Sequence, residues 1–165
     1  AFSGISCCID SGSSAKSIHF ESCIVRETVA AELSDGRVYL NIRSQASYRS
    51  RAYSADGATL WQGYEPDRVL VDARCFGSLT TVENARGEQI LLFAHCANEN
   101  ERDHVTVHAS RDEGLTWFAS KLVDEMRGGY VEMNATDAEH IYLLYEEDWG
   151  AKCHLCTFDL AWLLS

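Results

Sequence analysis

Apolar and polar positions alternate along much of this chain, with a period of two rather than three to four. Val38–Arg43 and Val105–Ser110 set apolar residues against polar ones in the manner of half-buried strands. The same reading predicts a strand over 28–33, a turn over 34–37, the returning strand Val38–Arg43 and a further strand over 47–54. The unit then repeats. Ser78–Glu83 is a strand, 84–88 a turn and 90–95 the return. A polar loop over 97–102, the strand Val105–Ser110 and a strand over 117–123 follow. A third unit has strands over 130–134, 141–146 and 153–160, with a turn over 136–139. No long helix is predicted, and 161–165 is too short to assign. Residues 1–17 are Ser- and Gly-rich and weakly patterned, a frayed end or the edge of a missing element. The expected division is therefore a poorly patterned segment 1–26 and a repeating β region 27–165.

Two turns carry a shared signature. Residues 110–117 read S-x-D-x-G-x-T-W: a short carboxylate to bond nearby N–H groups, a glycine for positive φ, and an indole to cover the corner. A degraded copy at 54–61 keeps Ser54, Asp56 and Trp61, but its fifth position is alanine and its threonine has moved one place. The two copies lie roughly one four-stranded propeller blade apart, about fifty residues. Three such units do not close a ring, because each blade needs neighbours on both faces. The chain is expected to be all-β and part of a propeller, with apolar faces at the cut. The plainer reading is a small self-contained sandwich that happens to repeat.

Composition narrows the function. A net charge of −11 argues against nucleic acid as a partner, since phosphates would be repelled. It does not exclude a small anionic ligand, for which local arginines decide. No apolar run is long enough to span a membrane, and residues 1–8 lack the pattern of a signal peptide. The seven cysteines are odd in number and irregularly spaced, which does not read as a disulfide framework. Cys153 and Cys156 have the spacing of a zinc or redox pair, but no second pair follows and both fit within one strand. His19, His95, His104 and His108 show no metal-ligand pairing. The acids Glu65 and Asp67 and the run 98–103, Arg102 aside, read as solvated loops.

The S-x-D-x-G-x-T-W turn resembles the Asp-box of sialidases and related propellers, and four further residues extend the likeness from Glu27 to the end of the chain. The stretch from Glu27 to Arg43 resembles the family segment that runs from the catalytic glutamate to an arginine of its triad. Arg102, just ahead of the strand leading into the intact box, matches the next triad arginine. Gly129 and Tyr130, followed by Tyr145 and Glu146, match the nucleophilic tyrosine and the strand behind it. The chain differs from the family pattern at Arg26, where asparagine is usual, and at Val131 and Glu132, where small polar residues are common. It also shows no match to the early arginine motif or to the acid/base aspartate, both of which lie in the family's first half.

The resemblance implies the C-terminal part of a six-bladed sialidase-type propeller of which about three blades are present, inactive alone. The implied enzyme removes terminal sialic acids from glycoconjugates with retention. It needs no metal or other cofactor and has an extracellular or periplasmic setting. Its implied partners are sialylated glycans and the missing N-terminal half of the propeller. Tyr130 and Glu27 would be catalytic; Arg43 and Arg102 would bind the substrate carboxylate. The residue types suit that chemistry. A guanidinium fork binds a carboxylate bidentately and stays protonated. A carboxylate nucleophile would be repelled by the sialic acid carboxylate, whereas a phenol is neutral near pH 7 and needs only a base within reach. Each residue alone has a plain reading: Arg43 and Arg102 as strand-end surface arginines, Tyr130 as a buried aromatic with its hydroxyl bonded, Glu27 as a solvated acid. The rival function is a non-catalytic Asp-box propeller that binds glycan or protein.

Overall fold

In the computed structural model the chain folds into antiparallel sheets stacked face to face. The structure describes residues 5–8, 17–20 and 26 as backbone, and 27–165 except 58 and 60. Strands β1 (Ile5–Cys8) and β2 (Ser17–Phe20) pair with each other. Most of the expected segment 1–26 otherwise lies outside the described residues. Sheet A runs β3 (Arg26–Glu32), β4 (Val38–Arg43), β5 (Tyr48–Ser54) and β6 (Gln62–Val71). Sheet B runs β7 (Ser78–Glu83), β8 (Gln89–Cys96), β9 (Val105–Ser110) and β10 (Ala119–Asp124). Sheet C has β11 (Gly128–Ala135), β12 (Ile141–Glu147) and β13 (Lys152–Phe158). A four-residue helix, α1 (Leu160–Leu163), follows; Asp159 caps it by accepting from the Trp162 N–H at 2.6 Å. Sheets A and B each have the four antiparallel strands expected of a propeller blade.

The alternation seen in the sequence becomes blade-on-blade packing. On β8, Ile90, Leu92 and Ala94 face sheet C, meeting Val131, Met133, Ile141 and Leu143 in the largest core cluster. Leu91, from the opposite face of β8, packs with Leu33 and Tyr39 of sheet A. A middle strand of a middle sheet is thus buried on both sides, which explains its nearly continuous apolar run.

β6 is absent from the sequence reading. It contains Gly63, with φ +66°, and Pro66, and its pairing with β5 shifts register twice. Both residues are poor strand formers and are tolerated here because β6 is an edge. Asp67 sits on it and is buried, not solvated as expected; the Trp117 indole N–H donates to it at 2.8 Å. Glu65 is also in this strand and pairs with Arg51. β10 begins at Ala119, two residues later than expected, because Trp117 is used to seal the corner rather than to pair.

Both corner motifs form. In the intact one, Asp112 accepts from the Thr116 N–H at 2.8 Å and its hydroxyl at 2.6 Å, and the Gly114 N–H donates to Ser110 Oγ at 2.8 Å. Gly114 has φ +81°, and an added Cβ would lie 2.6 Å from the Tyr39 ring. In the degraded one, Asp56 makes the same pair of bonds to Thr59, one residue nearer. The shifted threonine therefore conserves the clasp in a tighter turn. Residues 58 and 60 of that motif lie outside the described residues. Cys153 and Cys156 both lie on β13, three positions apart, so they project to opposite faces of the strand and do not form a joint thiol site.

Candidate active site

Three sheets bring the four expected residues to one end of the stack. Glu27 lies in β3 at a bulge, where pairing with β4 slips between Arg26 and Thr28. Arg43 ends β4 and is buried; Arg102 comes from the β8–β9 loop; Tyr130 lies in β11 at a second bulge, between Gly128 and Val131. Bulges re-aim side chains at strand ends, which is how residues from regular strands turn towards a shared cleft.

The central contact is between strands far apart in sequence. Tyr130 Oη donates to Glu27 Oε1 at 3.1 Å. The other Glu27 oxygen is held by an ion pair with Arg43 Nη1. Arg43 Nε is buried and has no hydrogen-bond partner among the described residues. Arg102 lies over the Tyr130 ring, 5.7 Å from its centroid, and over the Trp149 ring at 5.1 Å. Its Nη2 donates to the Arg74 carbonyl at 3.3 Å. Phe76 packs against Tyr130 with ring centroids 5.5 Å apart.

The backbone beneath the phenol is fastened by groups the sequence reading did not assign to it. The Gly128 N–H donates to the Arg102 carbonyl at 2.6 Å. The Tyr130 N–H donates to Glu146 Oε2 at 3.1 Å. The thiols of Cys75 and Cys96 both donate to the Gly129 carbonyl, at 3.1 and 3.3 Å. Gly129 is required by close approach: an added Cβ would lie 2.5 Å from Glu146 Oε2 and 2.9 Å from Glu146 Cβ. Glu146 lay within the sequence resemblance; Cys75 and Cys96 carried no local signal, because their role exists only once the β6–β7 connection, β8 and β11 meet.

Behind Cys75 runs a buried polar chain. Arg49 is fully buried and bonds Asn41 Oδ1 at 2.6 Å and the Cys75 carbonyl at 2.8 Å, and pairs with Asp72 at 3.4 Å. Burial pulls the Arg49 guanidinium down from its ordinary value. For Asp72 burial pushes upward, but the neighbouring His95 imidazole and the Arg49 charge outweigh it and hold the carboxyl below its usual range. His95 and His108 share a proton between their Nε2 atoms at 3.0 Å, and His108 Nδ1 meets Ser120 Oγ at 2.7 Å. These two histidines are buried core groups.

Arg43 and Arg102 line an open cleft of about 380 Å³, together with Arg74, Glu101 and Trp149. The cleft is positively charged in a strongly acidic chain. Among the described residues, no three His, Cys, Asp or Glu side chains are grouped so as to hold a metal ion. What the arrangement can do chemically is bind an anion between guanidinium groups beside a phenol whose proton has a carboxylate acceptor.

No family model matches the chain. Over 145 residues, 83% of its length, it is 34% identical to a sialidase of Micromonospora viridifaciens and spans 22% of that protein. Over the same length it is 30% identical to a sialidase of Bacteroides fragilis (strain YCH46) and spans 27% of it. Among solved structures, a Hadza microbial sialidase superposes with a TM-score of 0.76 at 28% identity, over 84% of this chain and 28% of that one. A leech intramolecular trans-sialidase superposes with a TM-score of 0.75 at 14% identity, over 93% and 27% of the two chains. That second likeness concerns the fold alone.

Proposed function

From its place in the sialidase family, as a segment spanning about a quarter of its curated relatives, we infer that this chain carries the nucleophile, its base and two carboxylate-binding arginines of a retaining exo-sialidase. The observation that carries the reading is the 3.1 Å hydrogen bond from the Tyr130 phenol to Glu27. Arg43 and Arg102 clamp the sialic acid carboxylate, which sits on the anomeric carbon. Tyr130 Oη attacks that carbon as its proton passes to Glu27. The bond from the carbon to the aglycone oxygen breaks, and that oxygen takes a proton from an acid outside this chain. A water molecule then attacks the same carbon and gives a proton back to that outside acid, the bond to Tyr130 breaks, and the phenol oxygen recovers the proton held by Glu27. A tyrosine nucleophile avoids placing a second carboxylate against the substrate's own.

The remaining acid and a further arginine belong, on this reading, to the rest of a longer protein whose propeller this chain helps to build. General acid catalysis is worth ~10²–10⁴ in rate, so the isolated chain should turn over natural sialosides negligibly compared with the full-length protein.

The test is made on the full-length protein. Tyr130→Phe removes the attacking oxygen and nearly preserves shape; folding is retained and retaining turnover collapses. Glu27→Gln causes a severe loss as well, and the double variant loses far less than the two losses combined, since the pair acts as one unit. A fluorinated sialosyl donor labels Tyr130. An adduct mapped to another residue, or full activity in Tyr130→Phe, rules the assignment out.

A further inference from the structure

Beyond the two arginines assigned to the sialic acid carboxylate, the cleft holds a third, Arg74. Its surroundings set it apart from the others. Arg43 is buried and paired with Glu27; Arg102 is half-buried and stacked between Tyr130 and Trp149. Arg74 is exposed at the rim and makes no ion pair with any described residue. Its backbone sits at φ +60°, in the left-handed region that a bulky residue seldom adopts. Trp149, which lines the same cleft, is 71% exposed and also has a left-handed backbone, φ +59°. It lies in a turn where Asp148 and Gly150 are left-handed too. Two strained positions that present a free cation and an open indole to one cleft argue for a ligand there.

We propose that Arg74 and Trp149 form a subsite for a second anionic group, carried by the sugar next to the sialic acid. The inference rests on the sialidase reading above. The sialic acid carboxylate and the bond to the next sugar share one carbon, so side chains bordering the carboxylate clamp also border the path of the aglycone. Trp149 offers an apolar ring to that cleft and Arg74 a guanidinium. Glu101 lines the same cleft and opposes an anion, but three guanidinium groups leave the cleft net positive. The shared ligand chemistry is an oxyanion, from either a sulfate ester or the carboxylate of a second sialic acid. Both suit Arg74's planar fork.

The experiment uses the full-length protein and matched substrates: sialyl-lactosamine with and without a 6-sulfate, and disialyl against monosialyl lactose. The readout is the ratio of kcat/KM between the members of each pair. Arg74→Asn removes the charge with a residue that tolerates the left-handed backbone, and should lower the sulfate or disialyl ratio about ten-fold. Arg74→Lys should restore part of it. The pair that responds identifies the anion. A ratio unmoved in both pairs, or an equal loss on charged and uncharged substrates, overturns the proposal. A second measurement is independent of turnover: titration of galactose-6-sulfated lactosamine against plain lactosamine, and of sialyl-lactose against lactose, should show in the pair that responds a preference that Arg74→Asn abolishes. Turnover of the monosialyl, unsulfated sialoside without an Arg74-dependent preference in either pair removes the subsite and leaves the sialidase reading. An Arg74-dependent preference without turnover removes the sialidase reading and leaves the subsite.

Discussion

The indole N–H of Trp117 donates to the Asp67 carboxylate at 2.8 Å, tying the corner motif of sheet B to the edge strand of sheet A. Asp67 is buried, and Arg51 Nη1 lies 3.6 Å from the same oxygen. Arg51 in turn bonds the Gly114 and Leu115 carbonyls of the corner, at 2.7 and 2.9 Å. The corner motif is therefore a joint between neighbouring blades as well as a hairpin seal.

Asp67→Ala should destabilise the protein by roughly 1–3 kcal/mol, because it strands the indole donor and leaves Arg51 without a buried acid. Asp67→Asn keeps an acceptor and should recover part of that. Urea unfolding of the two variants against the parent measures it. Equal stability of all three would mean that the joint contributes nothing.

Regular strands were legible because alternation is local: Val38–Arg43, Ser78–Glu83 and Val105–Ser110 appear with the expected bounds. β6 was not, because Gly63 and Pro66 break its local pattern and only pairing with β5 makes it a strand. Asp67 looked like a loop acid for the same reason. At the site, resemblance singled out Glu27, Arg43, Arg102 and Tyr130, and the structure brings them together. Cys75, Cys96 and Arg74 were invisible, since their placement depends on contacts between sheets and on a left-handed backbone that arginine does not advertise.

Arg102→Lys tests whether fork geometry or charge alone is used. The guanidinium is set by Tyr130, Trp149 and the Arg74 carbonyl. Lysine keeps the charge and loses the paired donors. Hydrogen bonds to charged groups are worth roughly 1.5–3 kcal/mol, so sialic acid affinity in the full-length protein should fall by about ten-fold or more. Unchanged affinity and turnover would exclude Arg102 as a carboxylate ligand.

Gly129→Ala probes the seat of Tyr130. The new Cβ would meet Glu146 at its carboxylate and at its own Cβ, so rotation of the carboxylate alone does not relieve the clash. Glu146 must leave the Tyr130 N–H, and the phenol shifts with it. A displacement of about 1 Å can cost ~10² in rate, while overpacking costs roughly 1–3 kcal/mol. Kinetics and thermal unfolding on the same preparation should show kcat falling far more than the loss of folded protein explains. Wild-type kcat would mean that the phenol's position does not depend on Glu146.

The buried histidine pair should make the fold acid-sensitive. Burial pulls His95 below its ordinary value, although Asp72 beside it pulls the other way and Arg49 assists the drop. Burial, with the His95 ring adding to it, lowers His108 well below the ordinary value. A neutral pair is consistent with the geometry. Ser120 donates to His108 Nδ1, one Nε2–H serves both rings, and His95 Nδ1 faces Asp72 at 3.7 Å. In the unfolded chain both imidazoles titrate near ~6.5. Below that pH the unfolded state binds more protons than the folded one, so stability falls as pH falls, by up to about 1.4 kcal/mol per pH unit for each histidine. The loss begins near ~6.5 and continues until the folded rings protonate. Urea unfolding between about pH 6.5 and 5.5, above most carboxylate titrations, should show this slope, and His108→Gln should roughly halve it. The same slope in parent and variant would show that these two rings are not the groups that titrate.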